Sequence, residues 1–135
     1  MKRYIAIILI VGLLSIATSL LYGFRLWFTF DFMGPEQGSE RTSVGIWTVI
    51  NLLLGLFVCA LSIDQLRRMS DFSMKLLLAC VNAIVFIHIA PLCLWLAFAA
   101  SDERLRGISL HLVVCLLSLV SIYALLRAMN RARGG

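Results

Sequence analysis

Residues 72–100 read FSMKLLLACVNAIVFIHIAPLCLWLAFAA, a run that carries a single charge, Lys75. A helix rises about 1.5 Å per residue and the hydrocarbon core of a bilayer is about 30 Å thick, so about 20 apolar residues suffice to cross it. This run is long enough to cross even when tilted. Working outward, three further runs share its character: 4–24, 44–63 and 107–129. All four are continuous rather than broken into alternating segments of about ten residues, which points to helices and away from a β-barrel.

The composition agrees. Of the 135 residues 61% are apolar and 14% charged, where a water-soluble domain has about 45–50% and about 25%. A fold this small keeps much of its surface exposed and could not hide that excess from water. The sequence therefore predicts an all-α integral membrane protein with a single transmembrane domain over 1–135. The stretches DQLRRMSD and SDERLR read as short loops that force their flanking helices antiparallel. The expected architecture is a four-transmembrane-helix up-down-up-down bundle.

The net charge of +5 is unevenly spread. With both termini on one side, that side carries Lys2, Arg3, Arg67, Arg68, Lys75, Arg127, Arg131 and Arg133; the other carries Arg25, Arg41, Arg104 and Arg106. Loops rich in Lys and Arg stay in the cytoplasm. The expectation is N-in/C-in, in a membrane such as the bacterial inner (plasma) membrane. The basic ending RAMNRARGG reads as a topology anchor among lipid headgroups rather than as a nucleic-acid contact. The first nineteen residues also fit a cleaved signal peptide, but the apolar run continues past Ser19 through LLYGF, which favours a first span.

Residues 24–33 follow the first run with Phe24, Trp27, Phe28, Phe30 and Phe32 around Arg25 and Asp31. Tyr22, just before them, and Trp27 and Phe28 are expected at headgroup depth, where aromatic rings collect. The two-residue alternation suggests an extended interfacial segment, with a helical continuation as the other possibility, and Gly34-Pro35 ends either form. Its aromatic density exceeds what an anchor needs, so the segment is also the candidate docking surface for a partner.

Polar groups deep in a span are functional candidates by default. Here they are Asn51, Asn82, His88 and His111. Counted from the run ends at about 1.5 Å per residue, their depths are about 9, 25, 16 and 6 Å. In the stretch His88-Ile89-Ala90-Pro91, the proline cannot donate to the carbonyl of Ile87 and kinks the helix. The structural reading of His88 is a neutral imidazole bonded to a freed carbonyl or to an asparagine of another helix. The cofactor reading is haem b held by His88 and His111, which needs both rings at one level; the calculated depths differ by about 10 Å. No metal motif is present: Cys59, Cys80, Cys93 and Cys115 all lie within runs without CxxC spacing, and HExxH is absent.

Helix packing in lipid relies on small and weakly polar residues. The interior is expected to collect Ser15, Ser19 and Gly23; Asn51, Gly55, Cys59 and Ser62; Ala79, Ala83, Ala90 and Ala97; and His111, Cys115, Ser118 and Ser121 or Ile122. With small loops and no intramembrane acid pair, the leading function is a non-enzymatic accessory or structural subunit of a larger membrane complex, alongside other subunits or copies of itself. The alternatives are a haem- or quinone-associated anchor using His88 and His111, and a homo-oligomeric small transporter or channel.

Overall fold

The computed structural model describes residues 2–28, 38–68, 70–98 and 101–133. It is all-helical: α1 spans Lys2–Phe28, α2 Gly38–Arg68, α3 Asp71–Phe98 and α4 Ser101–Arg133. Among the described residues each helix holds a segment long and apolar enough to cross a membrane: Tyr4–Phe24, Thr42–Arg68, Asp71–Leu94 and Ile108–Arg131.

The helices run further than their apolar cores. Most of the stretch expected to be a loop between α2 and α3 is helical, with α2 running to Arg68 and α3 beginning at Asp71. Ser70 stands at the N-terminus of α3, where its carbonyl takes the Met74 N–H at 3.1 Å and the Ser73 hydroxyl. The Gln65 amide of α2 also donates to it, at 2.6 Å. Asp71 in the first turn of α3 and Arg67 and Arg68 in the last turn of α2 complement the helix dipoles. The expected SDERLR loop is also a correction: residues 101–106 are the opening turns of α4. The extended reading of residues 24–32 gives way to its helical alternative as far as Phe28, because nothing before Gly34 breaks a helix. Phe24 is 64% exposed. Trp27 and Phe28 lie on the helical backbone but their side chains fall outside the described residues, as do Phe30 and Phe32 altogether.

Sequence neighbours pack on one another and α1 closes on α4, making a four-helix bundle. Neighbouring helices run antiparallel. Ser15 meets Asn51 while Gly12 meets Cys59, and Gln65 meets Ser70 while Trp47 meets Ile87. The tightest seam is α1 against α2. A Cβ on Gly12 would stand 2.7 Å from Cys59 Sγ and 3.1 Å from the Gly55 carbonyl. One on Gly55 would stand 2.9 Å from both the Gly12 carbonyl and Ile16 Cγ1. Two facing glycines let the backbones meet, as small residues do in lipid.

The interior divides along its length. Toward the chain termini it is mainly aliphatic, built from Ile8, Val11, Val58, Leu77, Val81, Ile84, Val114 and Leu125, with Ser62, Gln65, Ser73, Ser118 and Ser121 buried among them; Ser118 Oγ has no hydrogen-bond partner among the described residues. Toward the α1–α2 and α3–α4 connections the interior is polar, with Ser15, Thr18, Ser19, Asn51, His88 and His111 almost fully buried. Most of the expected small-residue positions on α1, α2 and α4 are buried, among them Ser15, Ser19, Asn51, Gly55, Ser62, His111, Cys115 and Ser118, while Gly23 and Cys59 are half-buried. The expectation fails for α3. Ala79, Ala90 and Ala97 are exposed and Ala83 half-buried. The opposite face of α3, with Leu77, Val81, Ile84 and His88, fills the interior. A bundle centre needs volume, and alanines would leave it hollow. The outer surface is otherwise large and apolar, with Phe72 and Phe86 each 73% exposed, a surface suited to lipid and not to water.

Candidate functional site

Each helix contributes one ring to a single cluster near the connections: Tyr22 from α1, Trp47 from α2, His88 from α3 and His111 from α4. The imidazole centroids are 5.0 Å apart. Trp47 stands edge-on to both imidazoles at 5.5 and 5.9 Å and to Tyr22 at 5.1 Å.

The two histidines share a level, against the depths calculated from the runs, and their Nδ1 atoms are 2.8 Å apart. The calculation erred because it treated residues 101–106 as loop. They are helix, and six residues add about 9 Å to the depth of His111. His88 lies ten residues before the end of α3 and His111 ten after the start of α4, so both sit about 15 Å from the connection.

The hub beneath the rings is Asn51. Its Nδ2 donates to the Ser15 carbonyl at 3.0 Å and to the hydroxyl oxygens of Thr18 and Ser19 at 3.0 and 2.9 Å. Those hydroxyls in turn donate to the Ser15 carbonyl at 2.8 and 2.9 Å. A carbonyl only accepts, so the end of the amide facing it is the nitrogen. Oδ1 then faces the Ser15 hydroxyl at 2.5 Å and His88 Nε2 at 3.2 Å.

This orientation sets the direction of every remaining bond. Oδ1 can only accept, so His88 Nε2 carries the proton. In a neutral ring His88 Nδ1 is then bare and accepts from His111 Nδ1–H. His111 Nε2 is bare in turn and accepts the Tyr22 hydroxyl proton, across 2.8 Å. The chain therefore runs Tyr22 to His111 to His88 to Asn51, linking four helices with every imidazole nitrogen used. The two histidines hold opposite tautomers.

Pro91 adds one more link. It cannot donate to the Ile87 carbonyl, and the indole N–H of Trp47 donates there at 2.9 Å. The helix continues past the proline to Phe98 because that freed group is satisfied from α2. His88 is bonded to an asparagine of another helix, one of the two partners its structural reading offered. Asn82 stays outside the cluster: it is half-buried, and its Nδ2 bonds the Leu78 carbonyl of its own helix at 2.8 Å.

The arrangement bears on the chemistry open to the site. Two in-line metal–nitrogen bonds of about 2 Å set the nitrogens about 4 Å apart. The 2.8 Å between the two Nδ1 atoms is a hydrogen bond, so in this arrangement an iron does not fit between those two atoms. Among the described residues no group of three His, Cys, Asp or Glu side chains could hold a metal ion. Below Asn51 the interior passes into the aliphatic layer of Val58, Val81, Ile84 and Val114. All four cysteines are free, with Cys80 and Cys115 buried, Cys59 half-buried and Cys93 exposed.

Sequence reasoning had singled out Asn51, His88, His111 and Pro91, and had placed Ser15 and Ser19 on a packing stripe. It assigned Tyr22 to the headgroups and overlooked Trp47 and Thr18. The signal for Trp47 was its place one turn before Asn51, and that for Thr18 and Tyr22 was their spacing of three and seven from Ser15.

Neither a protein-family model, nor a curated protein, nor a solved structure matches the chain.

Proposed function

We propose that this protein is a non-enzymatic accessory subunit that docks in the membrane onto a larger assembly through the outer face of α3. The observation that carries this reading is the placement of the α3 alanines. Ala79, Ala90 and Ala97 point out of the bundle, where large apolar side chains would serve lipid contact equally well. On the same face stand Phe72 and Phe86, and the alanines leave spaces between them in which side chains of a second helix can seat. Asn82 lies beside them with its oxygen unbonded among the described residues, and an amide in hydrocarbon gains by finding a donor on a neighbour. The interior polar groups of the ring cluster, by contrast, already satisfy one another. The aromatic residues Phe24, Trp27, Phe28, Phe30 and Phe32 provide a second contact at the headgroup level. The charge bias favours a bacterial inner membrane with both termini in the cytoplasm.

The test is co-purification from the native membrane in mild detergent. Leucine at both Ala79 and Ala90 should release other polypeptides while leaving the bundle's helicity and thermal unfolding unchanged. A wild-type peak containing only this chain would contradict the reading. In that peak, visible absorbance would favour a haem-bearing anchor through His88 and His111, and ion flux after reconstitution would favour a small channel.

A further inference from the structure

At the terminal end of the bundle, Tyr123, Leu126, Arg127, Asn130 and Arg131 line an open groove of about 560 Å³ on α4. Arg127 and Arg131 are one turn apart and share a face with Tyr123. Two other cations at this end are paired within their own helices. Arg68 is paired with Asp64 at 3.5 Å and Lys75 with Asp71 at 2.7 Å. Asp64 and Asp71 are the acidic side chains among the described residues, so neither α4 arginine faces a described acid. The groove offers hydrogen-bond donors: two guanidinium forks, the Asn130 amide and the Tyr123 hydroxyl.

The same face of α4 continues into the membrane as an exposed aliphatic strip. Leu112, Leu116, Leu119 and Val120 are 42–53% exposed, and Tyr123 is 65% exposed. From Leu112 to Tyr123 the strip is about 16 Å long, comparable to one leaflet of the hydrocarbon core. The apolar α4 segment ends at Arg131, and with that end at the membrane surface both arginines come within reach of lipid phosphates.

We propose that this face binds one anionic phospholipid. Arg127 and Arg131 fork onto its phosphate, Asn130 and Tyr123 donate to the headgroup, and an acyl chain lies along the aliphatic strip. Guanidinium forks match phosphate oxygens in a way ammonium groups do not, and the negative leaflet supplies the ligand. The site therefore discriminates by position, and not by the total charge of the protein's basic end.

The experiment uses the full chain in nanodiscs of phosphatidylcholine doped with phosphatidylglycerol, with retained lipid counted by native mass spectrometry. Wild type should keep one phosphatidylglycerol in several-fold preference to phosphatidylcholine. R127Q/R131Q should abolish that preference. R68Q/K75Q removes the same charge from locally paired positions and should leave it unchanged. All four side chains are exposed, and matching thermal unfolding curves would confirm that both variants fold. Equal retention of the two lipids by wild type would overturn the proposal, as would an equal loss of preference in both double variants.

Discussion

The two halves of the bundle interior solve the same packing problem by different means. Toward the termini, Ile8, Leu77, Val81 and Leu125 interlock as aliphatic side chains. Toward the connections, Ser15, Asn51, His88 and His111 interlock through directed hydrogen bonds. In water the first half would dominate stability. In lipid an aliphatic side chain gains little by leaving hydrocarbon for protein, and only close packing rewards the contact. The polar half has no such substitute environment, because Asn51, His88 and His111 would lose their partners if the helices parted. The difference teaches that the aliphatic half supplies shape and the polar half supplies register. A helix rotated by one residue would still find apolar neighbours below, but would break the chain from Tyr22 to Asn51 above.

The strongest way to break this comparison acts on the border between the halves. Gly55→Leu drives a side chain into the Gly12 carbonyl and Ile16. Neither backbone can yield without parting α1 from α2, so the bundle should lose about 3 kcal/mol, read by reversible unfolding in mixed micelles. Next comes the hub. Asn51→Leu removes the bonds to α1 and strands His88 Nε2, and should destabilise by about 2 kcal/mol. Val81→Ala in the aliphatic half should lose about 1 kcal/mol, the transfer component being small in lipid. A larger loss for Val81→Ala than for Asn51→Leu would reverse the proposed division of labour. The mildest change is Trp47→Phe, which keeps a ring but leaves the Ile87 carbonyl beside Pro91 without its donor. A loss of about 1 kcal/mol or less is expected, with faster amide exchange confined to the turn around Pro91.

The spans were legible because run length and hydrocarbon thickness are the same kind of quantity. The ring cluster was legible in its members and not in its geometry. Asn51, His88 and His111 announce themselves as polar residues in apolar runs, but their relative depths depend on where each helix ends. Charged residues 101–106 read as loop by composition, yet at a membrane surface a helix can extend into water and keep its hydrogen bonds. Shifting that one boundary brings His111 level with His88. Trp47 and Tyr22 were hidden for a different reason. A ring near a span's end has a general explanation in the headgroup region, which masks a specific role for its N–H or O–H. The face of α3 was misread because alanine has little preference of its own. The large residues opposite it decided which side the bundle needed.

The central claim is that the two imidazoles belong to one neutral hydrogen-bond chain running from Tyr22 to Asn51. Nitrogen-15 spectra of the histidine-labelled full chain in bilayers test this most directly. The account predicts two neutral, unlike imidazoles, His88 protonated at Nε2 and His111 at Nδ1, with a coupling across the Nδ1–Nδ1 hydrogen bond. Two rings of the same tautomer, or the shifts of metal-bound imidazoles, would contradict it.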